Sequence, residues 1–200
     1  MKQVQTETPL LLESIKIENA QIHNLTYHQA RCTQSRQQLF GSTDTLDLLS
    51  VIHPPPHGLY RCRIRYAHTV QTVEYLPYTP KTINTLKIVP SSVEYRLKYA
   101  DRSALDALLS SNSDVDEVLI EKEGYLTDTT IANVAFYDGK RWVTPEKPLL
   151  KGTMRAKLID EGFLHPAPIK KEDLSSFKQV ALMNAMIGFN ILNHFNIHQK

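Results

Sequence analysis

"EGYLTDTTIANVAFYDGKRWVTP", residues 123–145, is the stretch on which the reading of this chain turns. Two runs with strand character, "IANVAFYDG" and "RWVTP", meet at Asp138-Gly139, a dipeptide that favours tight hairpin turns. Ahead of them lie Gly124, Thr127 and Asp128, and Asn133 stands at the start of the first run, polar or flexible residues set among apolar ones. Asp128 sits between two threonines, which is also the signature of an ordinary turn cap.

Working outward, "TLKIV", "DEVLIEKEG" and "KQVALMNAMIGFNIL" read as further strands, the last with a turn. "RSALDALLSS" and "GTMRAKLIDEG" read as short helices, the second ended by Gly162. In the first half, "LLLESIKIEN" and "AQIHNL" read as a hairpin, and "TYHQARCTQSRQQLFG" as a helix starting at Thr26 and stopped by Gly41. "STDTLDLLSVIHP" reads as a second helix, ended by Pro54 to Pro56. "GLYRCRIRYAH" and "TVQTVEYLP" read as strands. In the former, Leu59, Arg61, Arg63 and Arg65 share one face while Tyr60, Cys62, Ile64 and Tyr66 share the other. The fold class expected is α+β in two lobes: residues 1–77, a proline-bearing linker over 78–84, and residues 85–200.

Composition narrows the function. Twenty-three basic residues balance twenty-one acidic ones, so no nucleic-acid or membrane surface is expected. Cys32 and Cys62 are too few for a disulfide frame or a zinc site and read as reduced core thiols of a cytoplasmic protein. The N-terminus lacks the apolar length and cleavage pattern of a signal peptide, and no window approaches the ~18 apolar residues of a membrane helix. The histidines are dispersed, so no metal site is expected. Phosphate-loop, GxGxxG and Gly-x-Ser-x-Gly patterns are absent.

What remains is a lysine. "VEYRLKYADRSALDALLS", residues 93–110, passes from strand-like to helix-like with Lys98 between Tyr95, Leu97 and Tyr99. On these residues alone Lys98 is either a solvated side chain or an amine held for chemistry. Lys87, in "TLKIV", is its rival.

"LKYADR", "EGYLTDTTIANVAFYDGKRWVTP", "PLLKGTMRAKL" and "LMNAM", in this order, resemble the class IV aminotransferases. These are the fold-type IV pyridoxal-phosphate enzymes, among them branched-chain and D-amino-acid aminotransferases and 4-amino-4-deoxychorismate lyase. The matching residues are Gly124, Thr127-Asp128, Ala132-Asn133, Thr144-Pro145 and Leu150 to Arg155; "YHQAR" matches more weakly in the first lobe.

The resemblance implies a D-amino-acid-aminotransferase-like fold, with a small α/β N-terminal lobe and a larger, β-barrel-like C-terminal lobe. It implies pyridoxal 5'-phosphate as cofactor, with Lys98 forming the imine (the internal aldimine) and then moving the proton. Asp128 stands where the family has glutamate against the ring nitrogen, one methylene shorter. Leu150 packs on the ring and Gly152, Thr153 and Met154 form the phosphate cup. Asn184, Ala185 and Met186 form a second phosphate turn, Arg31 is the phosphate arginine, and Asn133 and Tyr95 are supports. Arg61, Arg63 and Arg102 are candidates for substrate; the arginine row on the strand reads equally as an exposed basic edge. The activity implied is transamination of an amino acid or amino-substituted carboxylate. The alternatives are release of pyruvate from 4-amino-4-deoxychorismate to leave 4-aminobenzoate, a folate precursor, or a relative that binds the cofactor without turnover. The family's habit implies a homodimer.

Overall fold

A computed structural model describes residues 8–192 and 196–198. Its contacts divide into two compact units: one runs to Tyr78 and takes back Leu97–Asp101, and the other holds Thr79–Arg96 and everything from Arg102 onward.

The first unit is a four-stranded antiparallel sheet with one helix. β1 (Leu11–Glu18) turns into the short β2 (Gln21–Ile22), α1 (Leu25–Phe40) follows, and β3 (Leu59–Tyr66) and β4 (Val70–Pro77) complete the order β2-β1-β3-β4. β1 and β3 pair along all eight residues, from Leu11↔Tyr66 to Glu18↔Leu59. Alternation sends Leu11, Ile15, Ile17, Cys62 and Ile64 into one fully buried cluster. The expected two-faced strand at 59–66 is present, with Cys62, Ile64 and Tyr66 buried and the three arginines half-buried.

α1 begins one residue before the expected Thr26, after Asn24 in a left-handed conformation, and ends at Gly41, whose φ of 66° suits a residue without a Cβ. It is anchored by polar side chains more than by an apolar stripe. Arg36, 1% exposed, donates to the carbonyls of Asp44, Ala67 and His68 and pairs with the Asp44 carboxylate at 2.9 Å. This also explains a correction. The helix expected in "STDTLDLLSVIHP" is only a 3₁₀ turn at Leu49–Val51. The segment's backbone groups are taken by side chains: Arg36 binds the Asp44 carbonyl, Gln29 the Leu46 carbonyl and the Leu48 N–H, and Asp47 the Leu49 N–H. Such bonds compete with a helix ladder.

The second unit contains β5 (Thr85–Pro90), α2 (Ser103–Ser110), β6 (Glu117–Lys122), β7 (Tyr125–Thr129), β8 (Asn133–Tyr137) and β9 (Trp142–Pro145). After these come α3 (Thr153–Asp160), β10 (Leu164–Ala167), β11 (Gln179–Asn184), β12 (Gly188–Ile191) and β13 (Asn196–His198). The sheet runs β10-β9-β8-β7-β6-β5-β13, with β11 on β8 and β12 on β11, an open path among the described residues. β7 falls between the strands expected in "DEVLIEKEG" and "IANVAFYDG", in a stretch for which sequence reading expects no element. Glu123 and Gly124, at φ 53° and 81°, make the two-residue turn that creates it. β10 was also unforeseen, because Pro166 interrupts its strand pattern; it pairs in parallel with β9 at the sheet's edge, where proline is tolerated. The core lies under β5–β8 and β11, around Leu86, Leu119, Val134, Phe136 and Leu182. No helix among the described residues is long and apolar enough to cross a membrane.

Candidate active site

In the second unit the turn between β7 and β8 gathers most of the expected residues. The Thr129 hydroxyl accepts from the Ala132 N–H at 3.0 Å, and the Thr129 N–H donates to the Ala132 carbonyl, closing a tight turn. That closure sets Asp128 opposite Asn133 in the ladder. The Asn133 amide donates to Asp128 Oδ1 at 2.7 Å and to the Leu150 carbonyl at 2.8 Å, and the Leu150 N–H donates to Asp128 Oδ2 at 2.8 Å. Three residues expected to work together therefore form one closed ring of hydrogen bonds.

Burial pushes the Asp128 carboxyl up to about 6, with Asn133, the Leu150 amide and the Arg155 charge pulling it back. Arg155 is itself buried, which lowers its pKa against the pull of Asp128; it donates to the Pro145 carbonyl, and its Nε has no hydrogen-bond partner. Gly152, two residues after Leu150, caps α3 with no side chain of its own. A Cβ on Gly152 would lie 2.0 Å from Asn133 Oδ1, so only glycine fits against that amide. Gly152→Ala is expected to cost at least about 1–3 kcal/mol and to lower the melting temperature by several degrees. A melt unchanged from the parent would show that Asn133 swings away freely. Thr153 and Met154 open α3, whose first-turn amides point out along its axis.

Two further expected residues reach the same turn. Asn184 donates to the Ile131 carbonyl at 3.1 Å and folds the Ala185-Met186 turn by accepting from the Met186 and Ile187 amides. Arg102 donates to the Thr130 carbonyl at 2.9 Å. The rival lysine, Lys87, is engaged with Asp114 at 3.3 Å.

In the first unit Arg31 is held by Glu13. Its Nε donates to Oε1 at 2.9 Å and its Nη2 to Oε2 at 2.5 Å, while His28 Nδ1 meets Oε2 at 2.6 Å. Glu13 and His28 are completely buried. Burial would raise the Glu13 carboxyl, but Arg31 and His28 together outweigh it and hold it at about 2. Burial lowers the His28 pKa against the pull of Glu13, so a neutral ring leaves Nε2 without a partner. Lys98 lies in the segment docked along β1: its carbonyl accepts from the Leu12 N–H and the Ala100 N–H donates to the Leu10 carbonyl, both at 2.8 Å. Lys98 is half-buried, between the buried Leu97 and the half-buried Tyr99. Arg61 lies over the Tyr78 ring at 4.7 Å, and Arg63 stands two residues along the same strand.

Glu13 was not singled out from sequence, and His28 and Arg155 stood only within matching stretches, with no role attached. Glu13 did leave a signal: one acid on the inward register of an otherwise apolar strand. Among the described residues no group of three or more metal-ligating side chains occurs.

The description of class IV amino-transferases matches residues 56–192. An uncharacterized protein of Haemophilus influenzae is 36% identical over 184 residues, covering 89% of this chain and 98% of its own. A crystal structure from Haemophilus somnus, provisionally described as a 4-amino-4-deoxychorismate lyase, is 36% identical with a TM-score of 0.82, over 94% of this chain and 99% of that one. An aminotransferase from Brucella abortus, solved with bound pyridoxal phosphate, is 17% identical at a TM-score of 0.71, over 95% and 82% of the two chains, a likeness of fold. The chain belongs to the class IV aminotransferase family.

Proposed function

We propose that this chain is a pyridoxal-phosphate enzyme acting on an amino acid or amino-substituted carboxylate, with Lys98 as its reactive amine. The observation that carries the reading is the buried ring of Asp128, Asn133 and Leu150, closed against a glycine that cannot hold a side chain. A carboxyl poised at about 6 is mostly ionised at neutral pH and suits a protonated ring nitrogen. Both oxygens are oriented by donors, so the shorter aspartate is held rigidly where the family has a glutamate. The start of α3 and the Asn184 turn suit a phosphate dianion, as does Arg31, whose direction is fixed by Glu13.

When bound, the cofactor supplies an aldehyde for the substrate's amine and a ring that draws electrons from the carbon bearing it. Asp128 would hold the proton on the ring nitrogen and Leu150 would pack on the ring, with Asn133 fixing Asp128. Lys98 takes the proton from the carbon bearing the amine and delivers it again, which requires its amine in the neutral form.

Between the two reactions of the family, the Haemophilus somnus relative favours the lyase: release of pyruvate from 4-amino-4-deoxychorismate, leaving 4-aminobenzoate. The test is the purified protein's near-visible absorbance, followed by borohydride reduction and peptide mapping. A band that is lost in Lys98→Ala, and a reduced adduct on Lys98, are expected. A band that survives in Lys98→Ala sinks the assignment. Pyruvate and 4-aminobenzoate formed from aminodeoxychorismate identify the lyase. Amino transfer to a 2-oxo acid identifies the transaminase, and a band without either product identifies a binder without turnover.

A further inference from the structure

Arg155 is a buried cation with no acid in contact. It stands in the first turn of α3 and is 7% exposed. Its Nη2 donates to the Pro145 carbonyl at 2.9 Å and its Nε is buried without a hydrogen-bond partner. It makes no ion pair among the described residues. Burial lowers its pKa, yet a guanidinium keeps its proton across the ordinary pH range. A buried charge is costly unless an opposite charge compensates it.

Asp128, 3% exposed, is the acid in reach. The two side chains act on each other through their charges, and no hydrogen bond or ion pair joins them. The other charged groups of the surrounding elements are engaged elsewhere. β8 and β9 carry no charged residue. On β6, Glu117 accepts from the Thr130 N–H and hydroxyl, Glu121 pairs with Lys171 at 3.4 Å, and Lys122 pairs with Glu94. Lys157 of α3 pairs with Glu161 at 3.8 Å, and Lys151, beside Leu150, is exposed.

The separation has a chemical use. A guanidinium fork in contact would take both oxygens of the carboxylate. Here Oδ1 takes one bond from Asn133 and Oδ2 one from the Leu150 N–H, out of about four lone-pair positions. The charge is balanced while a lone pair stays open to a further N–H donor. We propose that Arg155 is a positioning residue, a counter-charge held off contact by the Pro145 carbonyl, which keeps Asp128 an anion with an oxygen free to accept. Its consequence for catalysis rests on the reading of Asp128 as the carboxylate of the ring nitrogen. The charge balance itself does not, and it exists in the cofactor-free chain.

The test is carbon-13 NMR of the cofactor-free full chain with labelled aspartate, the Asp128 carboxyl being the signal lost in Asp128→Asn. Arg155→Met should raise the midpoint of its titration by about one pH unit or more. Arg155→Lys keeps a charge and should move it less than half as far. Lys157→Gln, on the same helix, should leave it in place. An unmoved midpoint in Arg155→Met overturns the proposal. Equal shifts in the Met and Lys variants trace the effect to packing and overturn it as well. If Arg155→Met does not fold, the parent protein decides. Its Arg155 Nε–H resonance, assigned by side-chain connectivity, should shift with the midpoint of Asp128, and one that ignores that step overturns the proposal. A resonance that answers to added inorganic phosphate and not to pH makes a bound anion its partner, which also overturns it. Borohydride labelling of Lys98 is read separately. A labelled lysine with an unmoved midpoint sinks the counter-charge alone, and a moved midpoint with Lys98 unlabelled sinks the cofactor assignment alone.

Discussion

Asp128→Asn is expected to lower turnover about a hundred- to a thousandfold while the chain stays folded, measured as kcat beside a circular-dichroism spectrum. An amide is the same size as the carboxyl but carries no charge to hold a proton on a ring nitrogen. In the cofactor-free chain Asp128 takes up its proton as pH drops through about 6, a step the variant lacks. The folded pKa lies above the ordinary 3.8, so the contribution favouring the fold is complete below about 3.8 and is lost as pH rises through about 6. Two pH units correspond to about 3 kcal/mol. Cofactor-free wild type should lose that increment across the interval and Asp128→Asn should not. The variant gains no full relief at neutral pH, because one of the two donors, Asn133 Nδ2 or the Leu150 N–H, loses its acceptor. Cofactor-free wild type that keeps the same stability from pH 4 to 7 would falsify Asp128 as the titrating group.

The second large effect is Glu13→Gln. Glu13 is the buried counter-charge of Arg31 and the partner of His28, and removing one member of a buried pair costs about 3–5 kcal/mol. A fall in melting temperature of roughly 10 °C is expected for a chain this long. The pH dependence runs the other way from that of Asp128. The folded pKa of about 2 is below the ordinary 4.5, so the stability is present above about 4.5 and lost as pH falls toward 2. The wild type should weaken in that acid window and Glu13→Gln should not. Cofactor affinity should fall with it, since Arg31 no longer has a fixed direction. A melting temperature within 2 °C of wild type would mean that water, not Glu13, carries the charge of Arg31.

The two carboxyls show why one kind of residue was legible and the other was not. Asp128 stood out because its neighbours in sequence, from Gly124 to Asn133 and on to Leu150 and Gly152, recur in a fixed order; the turn they form is local. Glu13 pairs with residues 15 and 18 positions away, across a strand-to-helix contact, and no motif spans that distance. The failed helix at 42–53 has the same origin. Its capping and stop signals are real, but Gln29 and Arg36 of α1 take the backbone groups that would have made the ladder.

By itself, then, the sequence determined the α+β class, most strands, the glycine stops and the family, because alternation, turn dipeptides and motif order are properties of neighbouring residues. The residues of "TDTTIAN" were recognisable as a turn carrying an acid and an amide. Only the tertiary structure closed them into a ring with Leu150 and brought the Asn184 turn against Ile131. It also returned Leu97–Asp101 to the first unit, which docked Lys98 along β1. The reason is physical: burial and long-range pairing set the charge and direction of a side chain, and neither quantity exists until the strands have met.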